Sequence, residues 1–309
     1  MEFDLKKLLP TKIFDVIERA GLATHKQILT LSVWDVKKLT NLHIEDIHLL
    51  KNIVSEFISP KSFNCKELLQ TENCVKVTTG FREINEILRG GFSRGTLTEI
   101  FGESGSGKTQ LAIQACLHNN PDCSVYICTE DVFPIKRFEE MKQGMQNFNT
   151  NVDYGKNLFV EHITEAKDLL CCVRVRLPKL LTQRKCSLIV LDSIAAPFRV
   201  ESTNYVQRAE ELRELAMCLI NIAQQFNLAV VCINQVTASF DGIVNVLPCL
   251  GLAWSNMIST RLWMKKLCFY DGTYNNAQVR NLSVVFATDL PNHSVNFIIT
   301  TYGLKAVVQ

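Results

Sequence analysis

Apolar residues recur with two different periods along this chain of 309 residues. In the first part they are three and four positions apart, as at Ile44, Ile47 and Leu50, and this spacing predicts amphipathic helices. From about residue 76, short and nearly continuous apolar runs alternate with helical segments. The apolar runs are TLTEIFG, SVYICTE, NLFVEHI, SLIVLDS and LAVVCINQV. Such an alternation is typical of a parallel sheet that helices cover on both faces.

The helical part is predicted to be a small domain of residues 1–58. Its helical segments are TKIFDVIERAGL, THKQILTL, SVWDVKKLT and HIEDIHLLKNIVSEFI. Thr24, Ser32 and Asn41 lie where an N-cap side chain would accept the first backbone N–H groups of a new helix. Pro60 ends the last helix, because proline cannot continue the backbone hydrogen bonding. The polar residues 59–75 therefore indicate a linker.

The end of the chain carries a different strand pattern. TRLWMKKLCFY, QVRNLSVVFAT and HSVNFIITTYGLKAVV follow one another without long helical segments between them, which favours an antiparallel meander. The predicted fold is an α/β domain over residues 76–309, behind the small all-α domain. Its sheet is expected to be mostly parallel, with the antiparallel strands added at the C-terminal end.

Composition limits the class of protein without choosing a function. Hydrophobic residues make up 47% and charged residues 21% of the chain, as in ordinary soluble globular proteins. No apolar run reaches the ~18 residues that would span a bilayer. The N-terminus, MEFDLKKLLPTK, lacks the apolar core of a secretory signal. We therefore expect a cytosolic or nuclear protein that does not associate with a membrane. The chain has 33 basic and 31 acidic residues, and its net charge of +2 neither requires nor excludes binding to nucleic acid.

The 12 cysteines are predicted to be reduced and structural. Cys128 and Cys232 lie in apolar strand segments, where a thiol behaves as a small hydrophobic group. Cys116 and Cys218 lie in helical segments, to which the same argument applies. No C-x-x-C pair occurs and the six histidines are scattered, so the sequence does not support a metal site of Cys and His.

The strongest candidate for chemistry is GESGSGKT, residues 102–109, which fits the P-loop pattern G-x-x-x-x-G-K-[ST]. A strand candidate precedes it and the helical segment TQLAIQACLH follows, so backbone N–H groups can surround phosphate oxygens at a helix N-terminus. Lys108 is expected to reach the β- and γ-phosphates of ATP, and the Thr109 hydroxyl to ligate Mg²⁺. The predicted nucleotide-binding residues of this segment are Gly102, Glu103, Ser104, Gly105, Ser106, Gly107, Lys108, Thr109 and Gln110.

Two carboxylates at strand ends are candidates for metal binding and for hydrolysis. Asp192 ends SLIVLD and is expected to hold Mg²⁺ through water at the carboxyl edge of the sheet, with a helix N-cap as the alternative. Glu130 ends SVYICTE and is expected to orient or deprotonate the attacking water. The alternative for Glu130 is a solvated acid at a strand end, and the adjacent Asp131 is a second candidate for the same role.

Four motifs in this order resemble the core of the RecA-type recombinase family: the P-loop, TE at the end of the next strand, LIVLD and INQV. The helical domain and the linker are similar to those of the eukaryotic and archaeal branch of that family. The strings YICTEDVFP, DSIAAPFR and LGLAWSN are most similar to recombinase paralogues within it. The resemblance covers essentially the whole chain and implies a RecA-like ATPase domain that acts in homologous recombination.

The resemblance also implies nucleotide roles for residues outside the P-loop. Gln235 is similar to a glutamine that faces the γ-phosphate and begins a DNA-contacting loop, so its amide would respond to ATP. The alternative is a strand-end amide that pairs with backbone. Arg137 is similar to the arginine that stacks on adenine, or it is a charge on a helix surface. Pro291 is similar to the segment that caps the ATP of an adjacent subunit.

DNA and partner contacts are implied by the same resemblance. Arg199 is similar to an arginine of the family's first DNA loop, and Tyr205 and Arg208 lie in the same segment. These groups are predicted to contact phosphates or to stack on bases, with a plain exposed loop as the alternative. In the linker, Phe63 is similar to the aromatic residue that docks on a neighbouring subunit.

Several positions depart from the family pattern. Asp131 replaces the glycine that follows the catalytic glutamate, which predicts slow hydrolysis. Lys66 replaces the alanine of the linker motif, and Asn256 lies approximately where the family has an ATP-sensing histidine. The second DNA loop, TASFDGIVNVLPCLG (residues 237–251), contains no Lys or Arg. A chain altered at these points is expected to self-assemble poorly into homopolymers and to depend on a dedicated partner.

The leading hypothesis is therefore an ATP-binding assembly factor in the nucleus, and also in the cytoplasm. It would pair with a paralogous RecA-like subunit and assist the main recombinase on single-stranded or branched DNA. A DNA-dependent ATPase that performs strand exchange by itself is the main alternative. A RecA-core ATPase unrelated to DNA is a third.

Overall fold

The computed structural model describes residues 5–59, 62, 64–67, 76–145, 152–199, 205–237, 247–272 and 277–307. The chain divides into two compact units, Met1–Asn73 and Cys74–Gln309. Phe63, the predicted partner contact, lies outside the described residues, and so does most of the second DNA loop. Within the described ranges, no helix is both long and apolar enough to cross a membrane.

The first unit is a cluster of short helices whose apolar stripes meet in one core. Ile28, Ile47 and Leu50 are completely buried there, which explains the three-and-four spacing of the apolar positions. The helices are α1 (Leu5–Leu8), α2 (Thr11–Arg19), α3 (His25–Thr30), α4 (Val33–Thr40) and α5 (Ile44–Ile58).

Two of the three predicted N-caps in this unit are confirmed. The side chains of Thr24 and Ser32 accept backbone N–H groups at the starts of α3 and α4, each within a capping box. The prediction for Asn41 is wrong, because Asn41 ends α4 in the left-handed conformation with φ of 54°, and His43 precedes α5. Asparagine is favoured at both helix ends, since its short side chain also tolerates left-handed backbone.

The second unit is built on a nine-stranded sheet, counted over the described residues. The strands lie in the order β11-β10-β9-β8-β1-β5-β4-β2-β3, and those from β8 to β3 are parallel to one another. Strands β9, β10 and β11 extend this sheet in antiparallel fashion, so the predicted fold class is confirmed. The strands of the sheet are β1 (Leu97–Gly102), β2 (Cys123–Cys128), β3 (Leu158–His162), β4 (Cys186–Asp192), β5 (Ala229–Asn234), β8 (Thr260–Asp271), β9 (Ala277–Ala287), β10 (Ser294–Thr300) and β11 (Gly303–Ala306), and a separate pair is formed by β6 (Val236–Thr237) and β7 (Leu247–Pro248).

Helices cover both faces of the sheet, which is why its central strands are apolar at nearly every position. In β4, Leu188 and Val190 pack in one core and Ile189 and Leu191 in the other. The helices of this unit are α6 (Arg82–Ile87), α7 (Lys108–His118), α8 (Ile135–Gln143), α9 (Ala166–Cys171), α10 (Leu177–Gln183), α11 (Tyr205–Gln225) and α12 (Gly251–Ser255), with a π-helical turn (Cys172–Arg176) and a 3₁₀ turn (Ala196–Phe198).

The cysteines of the described residues are free thiols. Cys116, Cys128 and Cys232 are buried among apolar side chains, and burial raises the pKa of the Cys116 thiol to about 12. Such thiols stay protonated at neutral pH and pack as hydrophobic groups. Across the described ranges, no group of three or more His, Cys, Asp or Glu residues is arranged to hold a metal ion.

Candidate nucleotide-binding site

The sheet brings the predicted site residues to one edge. The P-loop begins at the end of β1, Asp192 ends β4, and Glu130 and Gln235 follow β2 and β5. These four strands are parallel and adjacent, in the order β1-β5-β4-β2, so their carboxyl ends lie side by side. They border a cleft of about 970 Å³. The predicted site residues that line the cleft are Gly102, Ser104, Gly105, Gly107, Lys108, Thr109, Gln110, Glu130, Arg137, Asp192 and Gln235.

Two glycines of the P-loop are required by its backbone. At Gly102, a Cβ atom would lie 2.0 Å from the carbonyl oxygen of Met264 on β8, which no side chain could accommodate. Gly107 has φ of 108° and directly precedes α7, the helix that begins at Lys108. The loop therefore turns tightly from β1 into α7 and presents the helix N-terminus to the cleft, as phosphate binding requires.

The ammonium group of Lys108 lies against the inside of the P-loop. Its Nζ donates hydrogen bonds to the carbonyl oxygens of Gly102 at 2.7 Å and Glu103 at 2.8 Å. Burial lowers the pKa of Lys108, and the negative charges of Asp192, Glu103 and Glu130 oppose that shift. The ammonium group is held by two backbone carbonyl oxygens, which it can exchange for phosphate oxygens.

Thr109 and Asp192 meet across the cleft, as the metal prediction requires. The Thr109 hydroxyl donates a hydrogen bond of 2.7 Å to Asp192 Oδ2, and the Tyr126 hydroxyl donates another of 2.7 Å to the same oxygen. Burial raises the pKa of Asp192, although these two hydrogen bonds and the charge of Lys108 lower it. The site therefore favours a positive ligand beside Asp192.

Tyr126 is a site residue that the sequence analysis missed. It is almost completely buried within β2, and burial raises the pKa of its phenol well above its ordinary value. The phenol is therefore a hydrogen-bond donor at any physiological pH, and it orients the carboxylate of Asp192. The signal in the sequence was a tyrosine in the middle of an apolar strand, where a hydroxyl needs a buried partner.

The residues of the cleft fit a phosphate ligand and a divalent cation. A hydroxyl and a carboxylate, supplemented by water and phosphate oxygens, are hard oxygen ligands of the kind that such cations prefer. Ser193, which lines the cleft, has a buried hydroxyl without a hydrogen-bond partner among the described residues. A buried hydroxyl in that state is costly, and a polar ligand or water in the cleft would satisfy it.

Thr129 holds the ends of β2 and β4 together. Its hydroxyl donates to the carbonyl oxygen of Ser193 at 2.6 Å and accepts the Ser193 backbone N–H at 2.8 Å. This pair fixes the position of Glu130, the next residue along the chain, relative to Asp192. Asp131 also lines the cleft, so the structure leaves both acids as candidates for the base.

Gln235 pairs with Glu130 across the cleft. Its side-chain Nε2 donates to both carboxylate oxygens of Glu130, at 2.7 Å and 2.8 Å. The alternative in which the Gln235 amide pairs with backbone is therefore wrong. Arg199 also binds Glu130, with its Nη1 2.9 Å from Oε1, a contact that the sequence analysis did not foresee. The response of Gln235 to ATP stays a prediction.

The neighbouring amide, Asn234, has a structural role. Asn234 is completely buried and donates to Glu99 Oε1 at 2.7 Å and to the carbonyl oxygen of Cys249 at 2.9 Å. Glu99 lies in β1 and also accepts hydrogen bonds from Trp254 Nε1 at 2.8 Å and Arg261 Nε at 2.5 Å. This network attaches Cys249, near the end of the predicted second DNA loop, to the strand that carries the P-loop.

Arg137 and Gln110 form one wall of the cleft. Arg137 Nε donates to Gln110 Oε1 at 2.6 Å, and Nη2 donates to the carbonyl oxygen of Thr300 at 2.6 Å. The Arg137 side chain is only 18% exposed, so it is not a solvent-facing charge on a helix surface. Adenine stacking on this guanidinium stays a prediction.

Two cationic residues of the C-terminal strands also approach the P-loop. Arg280 Nε on β9 donates to the carbonyl oxygen of Gly105 at 3.1 Å. The backbone N–H of Lys266 on β8 donates to Glu103 Oε1 at 2.9 Å, which directs the Glu103 side chain to the sheet. The sequence carries no signal for these contacts, because each joins residues more than a hundred positions apart.

Pro291, Tyr205, Arg208 and Arg199 are not among the residues that line the cleft, although Arg199 contacts Glu130 at its border. Pro291 is exposed in the connection between β9 and β10, where a role toward the ATP of another subunit stays a prediction. Tyr205 begins α11 and is 78% exposed, and Arg208 follows in the same turn. Arg199 follows the 3₁₀ turn that comes after β4.

Comparison with known proteins gives matches along essentially the whole chain. The sequence profile of the Rad51 family matches residues 70–307. The chain is 31% identical to DNA repair protein XRCC3 of Bos taurus, over 99% of this chain and 98% of that protein. It is 28% identical to DNA repair protein rhp57 of Schizosaccharomyces pombe, over 95% of each chain. It is also 28% identical to DNA repair and recombination protein RadA of Aeropyrum pernix, over 98% of this chain and 95% of that protein.

Proposed function

Because this chain belongs to the Rad51 family, we propose that it is an ATP-binding recombinase paralogue of homologous recombination repair. It acts as one subunit of a heteromeric complex that assists the main recombinase on single-stranded DNA. The observation that carries this proposal is the contrast between an intact nucleotide cleft and altered self-assembly positions. Lys108, Thr109 and Asp192 meet in the cleft, whereas Lys66 and Asn256 depart from the family pattern.

The names of three similar proteins support a role in DNA repair. XRCC3 of Bos taurus and rhp57 of Schizosaccharomyces pombe are each named as a DNA repair protein. RadA of Aeropyrum pernix is named as a protein of DNA repair and recombination. We assign the same process to this chain and place it in the nucleus, where the DNA lies, and also in the cytoplasm.

ATP and Mg²⁺ are the proposed ligands of the cleft. The backbone of the P-loop and Lys108 bind the phosphates, while Arg137 lies where it can face the base. Thr109 and Asp192 hold Mg²⁺, the aspartate through water. When bound, Mg²⁺ neutralises negative charge on the phosphates.

Hydrolysis by the isolated chain is slow in this proposal. Glu130 is the catalytic residue and Gln235 is its partner, but the carboxylate of Glu130 is already engaged by Gln235 and Arg199. Asp131 adds a second negative charge beside it, where the family has a glycine. The nucleotide then acts mainly as a ligand that sets the conformation of the protein and of its interface.

The partner is a paralogous RecA-like subunit, most simply in a one-to-one heterodimer. An aromatic anchor on an extended linker can fill a pocket beside the edge of another subunit's sheet. Phe63 is the proposed anchor, while Lys66 introduces a charge where the family has a small residue. A charged side chain should fit poorly into a pocket that accepts a small residue at that position. Binding to another copy of this chain is then disfavoured, and binding to a different partner is favoured.

DNA binding by this subunit is weak and depends on phosphate contacts. Arg199, Tyr205 and Arg208 are the proposed contacts at the first DNA loop, and the second loop has no Lys or Arg. Few cations release few counterions, so affinity should fall only slightly as salt rises. Single-stranded or branched DNA is then bound mainly by the complex.

Assembly with a partner and with the main recombinase tests the proposal. The chain is co-expressed with candidate paralogous subunits, and the purified complex is added to the main recombinase on single-stranded DNA. We expect a one-to-one complex that accelerates recombinase assembly with ATP, and an inactive complex when Lys108→Ala is used. Filaments of this chain alone, with strong DNA-stimulated turnover, would favour the autonomous recombinase instead.

A further inference from the structure

Two cations lie directly opposite each other on neighbouring strands beside the P-loop. Lys266 of β8 and Arg280 of β9 are paired in the antiparallel register, so their side chains project from the same face of the sheet. Met264, two positions before Lys266, packs in the core that also contains helix α7, which places both cations on the face of the P-loop. Like charges in opposed positions destabilise a sheet, so an anion that neutralises them would be favourable.

Both cations lie against the P-loop. Arg280 Nε donates to the carbonyl oxygen of Gly105 at 3.1 Å, and Nη1 donates to the carbonyl oxygen of Gln278 at 2.8 Å. A guanidinium has five N–H donors, and these two contacts within the described residues leave others for a ligand. Lys266 Nζ lies 3.7 Å from Glu103 Oε2, and a Cβ atom at Gly105 would be 4.0 Å from the same nitrogen. Two cations of the C-terminal strands therefore border the loop.

The positive charges around the P-loop act on one another. Burial lowers the pKa of Lys108, and the charge of Lys266 acts in the same direction, against the carboxylates nearby. Burial also lowers the pKa of Arg280, which lines the same cleft as Lys108. Glu103 pairs with Lys266, but its side chain is 45% exposed, so water screens this pair. A phosphate anion in the cleft would therefore relieve the repulsion between these cations.

We propose that Arg280 binds the terminal phosphate of the nucleotide, as a cation that the C-terminal strands supply to the P-loop of the same chain. The backbone of a P-loop encloses the inner phosphates, so the γ-phosphate is the group whose charge a further cation can neutralise. A guanidinium suits this role, because two of its N–H groups can bind two phosphate oxygens. Lys266 adds positive potential beside it without lining the cleft. This inference rests on the proposed binding of ATP, and it names the residue that distinguishes ATP from ADP.

The affinities for ATP and ADP test this role without requiring turnover. The full chain and its Arg280→Ala variant are titrated with ATP–Mg²⁺ and with ADP–Mg²⁺ in a calorimeter. Arg280→Ala should bind ATP about tenfold more weakly, as expected for a lost hydrogen bond to a charged group, and ADP less than about twofold more weakly. Arg280→Lys should bind ATP only about threefold more weakly than the wild type, because it keeps the charge but not the paired N–H groups. Equal losses for ATP and ADP, or no loss, would overturn the proposal.

Lys265 provides a matched control on β8. It is next to Lys266, but its side chain projects from the opposite face of the sheet, where Nζ lies 4.7 Å from the ring centroid of Trp263. Lys265→Ala removes one positive charge, as Arg280→Ala does, and should leave both nucleotide affinities unchanged. A loss of ATP affinity as large as that of Arg280→Ala would mean that net charge, rather than the position of Arg280, sets the affinity, and it would contradict the proposal.

Two further measurements separate phosphate binding from other roles of Arg280. Without nucleotide, Arg280→Ala should melt close to the wild type. A much lower melting temperature, together with equal losses of ATP and ADP affinity, would assign Arg280 to the structure of the P-loop instead. A fluorescent oligothymidylate should bind the variant as it binds the wild type. Weaker binding of this probe with normal ATP affinity would assign Arg280 to nucleic acid and overturn the proposal.

Failure of this inference can be told apart from failure of the proposed function. If the wild type does not bind ATP–Mg²⁺, the proposed function itself is wrong. If the wild type and Arg280→Ala bind ATP–Mg²⁺ equally well, only the role of Arg280 is wrong.

Discussion

The two sides of the nucleotide cleft differ in how firmly the protein holds them. On the phosphate side, the glycine turn of the P-loop fixes Lys108 and Thr109, and Asp192 accepts hydrogen bonds from Thr109 and the buried Tyr126. On the opposite side, Glu130 is bound by Gln235 and Arg199 in contacts that are partly exposed to water. Contacts of the second kind contribute about 1 kcal/mol or less, so they can rearrange. The side chains on the phosphate side are therefore held in fixed positions, whereas the contacts of Glu130 on the opposite side can be exchanged.

The same difference appears between two adjacent amides at the end of β5. Asn234 is completely buried in a network with Glu99, Trp254 and Arg261. Gln235, one residue later, is only partly buried and reaches Glu130 across the cleft. The buried amide therefore supports the base of the predicted second DNA loop, and the partly exposed amide is available to respond to a ligand.

The largest expected effect is on ATP turnover and comes from Glu130→Gln. This substitution alters only the side of the cleft that is opposite the P-loop. Glutamine keeps the size of the side chain but cannot accept the proton of the attacking water, so turnover should fall about a hundredfold or more. Stabilisation by ATP–Mg²⁺ should remain, because the phosphate side is intact. Phosphate release and thermal unfolding measure the two effects. Unchanged turnover would transfer the role to Asp131 or to a partner residue.

Lys108→Ala should abolish the binding of ATP–Mg²⁺ on the phosphate side of the cleft. Ligand at about a hundred times its dissociation constant adds roughly 2.7 kcal/mol to the free energy of unfolding. We expect ATP–Mg²⁺ to raise the melting temperature of the wild type by several degrees and to leave that of Lys108→Ala unchanged. Lys156→Ala, an exposed lysine of the same unit, is the control and should respond as the wild type does. Equal shifts in Lys108→Ala and the wild type would reject the P-loop assignment.

The two amides can be compared directly by truncating each. Asn234→Ala leaves the buried Glu99 and the carbonyl oxygen of Cys249 with one donor fewer, which should cost about 1–3 kcal/mol. Gln235→Ala, at the partly exposed position, should cost about 0.5 kcal/mol or less. Urea unfolding without nucleotide measures both. A larger loss for Gln235→Ala would reverse the assignment of structural and responsive roles.

Asp192→Asn should separate stability from ligand binding on the phosphate side. Burial raises the pKa of Asp192, so its contribution to stability is greatest below the ordinary aspartate pKa and is lost as the pH rises through the raised value. Without nucleotide at neutral pH, the neutral asparagine should therefore be at least as stable as aspartate. Affinity for ATP–Mg²⁺ should fall about tenfold, or about 1.4 kcal/mol, because the carboxylate ligand is lost.

Calorimetry and thermal unfolding between pH 4 and pH 8 would measure both effects of Asp192→Asn. The difference in stability between the variant and the wild type should increase as the pH rises. A variant that is strongly destabilised at neutral pH would mean that the carboxylate is needed for folding as well as for the ligand.

Much of the fold was predictable because its signals are local. The parallel core strands β1 to β5 are predicted from apolar runs, because a sheet covered by helices on both faces needs apolar residues at nearly every position. Helices α3 and α4 are predicted from their N-cap residues. The failure at Asn41 has a local cause too, since asparagine suits either end of a helix and only the course of the chain decides between them. Local signals therefore predict elements well and their boundaries less well.

The sequence by itself determined the P-loop, the acids Glu130 and Asp192, and the strand ends that carry them. Those features depend on residue type and on spacing within a few positions, which the chain shows directly. Only the tertiary structure decided that Tyr126 orients Asp192, that Glu99 receives Asn234, and that Arg199 binds Glu130. Each of these contacts joins residues from separate strands or loops, and sequence spacing does not say which of many polar groups will meet. The folded sheet chooses among them, because it places distant segments side by side and burial then requires each polar group to find a partner.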